Sequence, residues 1–137
     1  MTKILLVEDS KFLRLATEHA LARAGYNVCT ASDGELALQV AREQQPDLIL
    51  LDMLLPKLSG PDVLKALKKD PTTADIPVVV LSGLSHNNAA RLQQDGAFSF
   101  LEKSELGLDK GAEALLLSLR QILQDAPRRS AKAASSS

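Results

Sequence analysis

The sequence predicts an α/β protein, a doubly wound five-stranded parallel sheet with helices on both faces. Three observations carry this. Leu48-Ile49-Leu50-Leu51 is a run of large aliphatic residues with no polar face, the habit of a strand covered on both sides. Similar runs recur at Ile4-Leu5-Leu6-Val7 and over 76–81. Between the runs lie stretches with apolar residues at helical spacing, and strands alternating with helices mean parallel pairing through right-handed crossovers.

The elements follow in order. Lys3 to Val7 is the first strand and ends in two adjacent acids, Glu8 and Asp9. Ser10 caps a helix whose stripe is Leu13, Ala16, Thr17, Ala20, Leu21 and Ala24, and Gly25 stops it. Tyr26 to Ala31 is a short second strand holding Cys29; Ser32 or Asp33 caps a helix facing inward with Ala37, Leu38 and Ala41. Gln45-Pro46-Asp47 breaks that helix, and Asp47 to Leu51 is the third strand, which delivers the chain to Asp52. Pro56 to Pro61 is a loop, and Pro61 suits the first turn of a helix that buries Val63, Leu64 and Leu67 and ends near Asp70-Pro71. Ile76 to Leu81 is the fourth strand, ending on Ser82-Gly83. A weakly apolar helix over about 86–94 stops at Gly96, and Phe98 to Leu101 is the fifth strand, with Lys103 just past its end. The last helix, about 108–124, turns Ala112, Leu115, Leu116, Leu119, Ile122 and Leu123 inward and Leu117 outward. The domain is expected over 1–124, and 125–137 reads as a disordered tail or linker stub, rich in Arg, Ser and Ala without periodicity.

Composition narrows the function classes. With 45% apolar and 24% charged residues and a formal charge of -1, the chain has no basic field to attract nucleic acid or a membrane surface. The single cysteine, Cys29, excludes an internal disulfide and fits a reducing compartment. No apolar stretch is long enough to span a bilayer, and the first strand is too short for a signal-peptide core, so a cytoplasmic protein is expected. His19 and His86 have no acid or cysteine partners at metal-ligand spacing and read as ordinary surface residues.

Four strands end in polar residues suited to phosphate or metal: Glu8 and Asp9, Asp52, Ser82, and Lys103. In a parallel sheet these ends share one edge, where open α/β sheets place their ligands. Three carboxylates there repel one another, and a hard divalent cation relieves the repulsion; Mg²⁺ prefers one or two carboxylates, waters and a phosphate oxygen. Lys103 adds a fixed positive charge and Ser82 a rotatable donor, parts that suit phosphoryl transfer to a carboxylate.

Four stretches then resemble the receiver domains of two-component response regulators, over about residues 2–124. They are Ile4-Leu5-Leu6-Val7-Glu8-Asp9, Leu50-Leu51-Asp52-Met53-Leu54-Leu55-Pro56 with Gly60 beyond, Val78-Val79-Val80-Leu81-Ser82-Gly83, and Gly96-Ala97-Phe98-Ser99-Phe100-Leu101-Glu102-Lys103. The resemblance implies a flavodoxin-like fold with strand order 2-1-3-4-5. It implies that Asp52 accepts a phosphoryl group from a phosphohistidine on a sensor histidine kinase or phosphotransfer protein. Glu8, Asp9, Asp52 and the backbone carbonyl of Leu54 would hold Mg²⁺, Lys103 would pair with a phosphoryl oxygen, and Ser82 would bond another. Phe100 falls where the family keeps an aromatic that turns inward when that hydroxyl moves, and a phenyl ring is expected to favour the inward rotamer.

The chain departs from the family pattern at Ser104, which follows Lys103 where a proline is usual. A non-proline cis bond costs about 2.5–4 kcal/mol, so a trans bond is expected there. Leu54 and Leu84 flank the path of the hydrolytic water in the family, and two leucines there predict a long-lived phosphoryl group.

The expected function is a switch that alters contacts with a downstream protein, or with a second copy in a homodimer. The chain would be no enzyme beyond its own phosphorylation and dephosphorylation. The alternative is a receiver-like interaction module that works without phosphorylation. An aspartyl-phosphate phosphatase would want an acid where Leu54 stands, and a flavin or nucleotide site would be repelled by Glu8-Asp9. No nucleic acid is expected to be bound through this chain.

Overall fold

The computed structural model describes residues 2–52, 55, 58–82, 96–102 and 113–125. Its strands are β1 (Lys3–Val7), β2 (Asn27–Ala31), β3 (Leu48–Asp52), β4 (Val78–Ser82) and β5 (Ser99–Glu102). All pair in parallel, in the order β2-β1-β3-β4-β5, as a flavodoxin-like doubly wound sheet requires. Among the described residues the helices are α1 (Lys11–Arg23), α2 (Gly34–Gln44), α3 (Gly60–Lys69) and α4 (Glu113–Asp125). The helix expected over 86–94 and the expected first turn of the last helix, 108–112, lie outside the described residues.

The sheet divides two cores by the alternation of its side chains. Leu5 and Val7 of β1 and Ile49 and Leu51 of β3 pack beneath Ala37 and Ala41 of α2 and Val63, Leu64 and Leu67 of α3. Ile4, Leu6, Leu48 and Leu50 face the other way, onto Leu21 of α1 and Leu115, Leu119 and Ile122 of α4. Both faces of β1 and β3 are thus covered, which explains why their sequences are continuous aliphatic runs. Each buried leucine or isoleucine contributes about 1.5–3 kcal/mol relative to exposure.

Caps fix where the helices begin. Ser10, Asp33 and Ser59 each accept a hydrogen bond from the backbone N–H three residues on, at Leu13, Leu36 and Asp62. Helix α1 ends at Arg23; Ala24 is its exposed cap rather than part of the buried stripe, and Gly25 turns the chain at φ +98°.

Several boundaries differ from the sequence expectation by a residue or two. Strands β3, β4 and β5 each run one residue further, to Asp52, Ser82 and Glu102, because ladder bonds extend under polar side chains as readily as under aliphatic ones. Tyr26 stays outside β2, its N–H donating back to the Leu21 carbonyl of α1 at 3.1 Å. Likewise β4 begins at Val78 rather than Ile76, whose N–H closes a turn onto Thr73 (3.0 Å). Helix α3 starts at Gly60, one residue before Pro61.

Candidate functional site

The C-terminal ends of β1 and β3 lie side by side, since Val7 pairs with Leu51. The next residues, Glu8 and Asp52, therefore arrive together, and Asp9 follows at the mouth of the loop into α1. Ligating oxygens of Glu8, Asp9 and Asp52 all lie within 4.8 Å of one another. Asp52 is 1% exposed and Glu8 4%, whereas Asp9 faces solvent. Asp52 is the last residue of β3 and is paired with Leu81 of β4, so its backbone belongs to the most central part of the sheet.

The loop is held by a short set of hydrogen bonds. Glu8 donates its N–H to the Ala31 carbonyl at 3.0 Å, and its Oε2 accepts from the Ser10 N–H at 3.1 Å. The Ser10 hydroxyl in turn accepts from Leu13 N, opening α1. From the first turns of that helix Arg14 reaches back, its Nη1 donating to the carbonyls of Glu8 (2.9 Å) and Asp9 (3.4 Å). Sequence reasoning passed over Arg14, which lies on no apolar stripe. The available signal was position: helical side chains lean toward the helix N-terminus, so a long cation there covers the preceding loop.

Two unit charges about 4 Å apart repel by roughly 1 kcal/mol in water and roughly four times that near a protein surface. Three carboxylates so close, two of them buried, form an all-oxygen donor set whose spacing lets one small ion touch all three. That arrangement fits a hard divalent cation.

Of the other expected site residues, Ser82 is the last residue of β4, opposite Glu102 of β5, and Phe100 lies inside β5 opposite Val80. Both therefore belong to the two strands beyond Asp52 in the sheet order, at or near the same edge. What their side chains do, and the positions of Leu54, Leu84, Lys103 and Ser104, fall outside the described parts of the structure. His19 is exposed on α1, and Leu117 is 65% exposed on α4, as the helical spacing predicts.

Comparison with known proteins agrees with this arrangement. The family model for the response regulator receiver domain matches residues 4–116. The chain is 43% identical over 115 residues to the gliding motility regulatory protein of Myxococcus xanthus, covering 82% of this chain and 15% of that protein. It is 41% identical over 103 residues to the response regulator PleD of Caulobacter vibrioides, covering 74% of this chain and 22% of PleD. The chain thus spans a small part of these relatives' length. Among solved structures, the chemotaxis response regulator CheY4 of Vibrio cholerae superposes with a TM-score of 0.80 at 31% identity, covering 89% of this chain and 98% of that one. No described helix is long and apolar enough to cross a membrane. Sheet order, acid cluster and sequence likeness converge, and the chain belongs to the response regulator receiver domains of two-component signalling systems.

Proposed function

We propose that this domain is a phosphorylation switch in the cytoplasm, in which Asp52 takes a phosphoryl group from a phosphohistidine of a sensor histidine kinase or phosphotransfer protein. The observation that carries this reading is the buried Asp52 carboxylate at the end of β3, gathered within 4.8 Å of Glu8 and Asp9. A carboxylate oxygen of Asp52 attacks phosphorus and the imidazole N–P bond breaks. Its electron pair returns to the ring nitrogen, and an acyl phosphate forms on Asp52. Glu8, Asp9, Asp52 and the Leu54 carbonyl would hold Mg²⁺, which when bound offsets the negative charge gathering on the phosphoryl oxygens.

The protein's own part is positional. Strand β3 presents Asp52 from a rigid ladder, while β1 and the Ser10 cap fix Glu8 and Asp9 beside it. Lys103 supplies a fixed cation for one phosphoryl oxygen and Ser82 a hydroxyl for another, drawing the ends of β4 and β5 toward the new charge. Phe100 reports that movement to the surface, where a downstream protein or a second copy of the chain is bound. The domain is thereby a phosphoacceptor rather than an enzyme acting on other substrates.

Intact mass after incubation with acetyl phosphate, with and without Mg²⁺, tests this. One added phosphoryl group that requires the metal and is absent in Asp52→Asn is expected. A folded wild-type protein that gains no mass would instead favour a receiver that binds its partners without phosphorylation.

A further inference from the structure

We infer that Arg14 is a positioning residue for the acid cluster, a guanidinium clamp that fixes the backbone of Glu8 and Asp9 in the geometry a divalent cation requires. The inference rests on the metal-binding reading above. Its basis is which atoms Arg14 touches. An arginine beside three acids would ordinarily pair with a carboxylate, in the forked geometry that suits it. Here Nη1 instead donates to two main-chain carbonyls, Glu8 at 2.9 Å and Asp9 at 3.4 Å. The clamp closes on consecutive residues, and those residues carry two of the three clustered carboxylates.

The helix dipole does not account for the placement. Helix α1 has no acidic residue in its first turn, and a positive charge near a helix N-terminus opposes the helix dipole. The acids themselves supply the reason for a clamp. Glu8 is anchored by its N–H on Ala31 and by its Oε2 on the Ser10 N–H. Asp9 is the exposed member, and like-charge repulsion favours swinging it away from Asp52. Arg14 ties the Asp9 carbonyl to α1 and so opposes displacement of the backbone that presents this carboxylate to the cluster before a cation arrives.

The two effects of Arg14 on a cation have opposite signs. Its charge repels the ion, so removing it would tighten binding. Its hydrogen bonds preorganise the ligands, so removing them would weaken binding, and loss of such outer partners typically costs about 10–100-fold in metal affinity. Arg14→Lys keeps the charge on a chain one bond shorter, without the planar fork. Arg14→Gln removes the charge as well.

The experiment is calorimetric titration of Mg²⁺ into the wild type, Arg14→Lys and Arg14→Gln, well below their melting temperatures. Arg42→Gln, an exposed arginine of α2 beside Asp70 at 3.8 Å, controls for net charge. Both Arg14 variants are expected to bind about 10–100-fold more weakly while Arg42→Gln binds as the wild type. Thermal denaturation without metal separates this from a general loss of stability, which would lower the melting temperature and leave the affinity unchanged. Arg14→Gln binding as tightly as the wild type or tighter would overturn the inference. So would Arg14→Lys retaining full affinity, since the hydrogen bonds of the planar guanidinium would then be dispensable. A folded wild type that binds no Mg²⁺ would overturn the metal reading itself, a result distinguishable from the others.

Discussion

A Cβ built on Gly34 would stand 2.5 Å from the Leu58 carbonyl oxygen and 2.7 Å from Cγ2 of Val63. The neighbour is backbone, so it cannot rotate aside as a side-chain tip would. Gly34 opens α2 directly after its Asp33 cap, and Leu58 lies in the segment between Asp52 and α3. The missing side chain therefore lets Leu58 lie against the start of α2, with Leu55 and Leu58 on the edge of the core. Gly34→Ala is expected to destabilise the domain by about 1–3 kcal/mol, the usual cost of overpacking. Urea denaturation measures it; an unchanged midpoint would show that the Leu58 segment yields freely.

At the scale of an element, the exit of α3 is built from short polar contacts. Asp70 caps the helix, and its Oδ1 accepts from the Thr72 N–H at 2.9 Å and the Thr72 hydroxyl at 2.7 Å. These bonds hold the Asp70 carboxyl below its ordinary value, with a smaller contribution from Arg42. The folded pKa is then lower than the unfolded one, so the contribution to stability is present above the ordinary carboxylate range. It is lost as pH falls through the depressed folded value. Thr72→Val keeps the shape and the backbone donor but removes the hydroxyl. It is expected to raise the Asp70 pKa in an NMR titration, and its stability deficit near neutrality should vanish in strong acid. A deficit that persists at low pH would place the hydroxyl's effect elsewhere. Nearby, Lys68 spans the same corner, donating to the carbonyls of Ala74 (3.1 Å) and Ile76 (2.8 Å), and its burial holds its own pKa below the usual range.

These elements also show where the sequence was legible. The aliphatic runs of β1 and β3, the cap at Ser10, a second cap at Ser32 or Asp33 that the structure assigns to Asp33, and the inward Val63, Leu64 and Leu67 were all readable, because each obeys a local rule of burial, period or capping. Glu8, Asp9 and Asp52 were readable as a cluster because a parallel sheet brings its strand ends to one edge, and the structure gathers those three. What escaped depends on turns, close approaches and side-chain reach that no rule of burial, period or capping encodes. Arg14 and Lys68 act through long side chains that reach main-chain carbonyls, and no hydrophobic pattern marks them. Gly34 matters through a neighbour that arrives 24 positions later, and β4 starts late because the Ile76 N–H is already committed to a turn.

For the molecule as a whole, the sheet is unequal across its width. Strands β1 and β3 are covered on both faces, with Ile4 to Val7 and Leu48 to Leu51 at most 1% exposed. Strand β2 lies at the edge, paired only with β1, and most of its residues are partly exposed. Amide hydrogen exchange should reflect this ranking. Protection of 48–51 is expected to equal the free energy of global unfolding, with 27–30 exchanging through smaller openings. Equal protection of both strands would mean that the sheet opens only as one unit. The position of Asp52 at the end of that central ladder then has a mechanical meaning. A strand that opens only when everything opens cannot itself be the moving part. In the proposed switch, Asp52 would then serve as an anvil: phosphoryl transfer would strike a strand that does not give, and any motion it released would have to be taken up elsewhere in the domain.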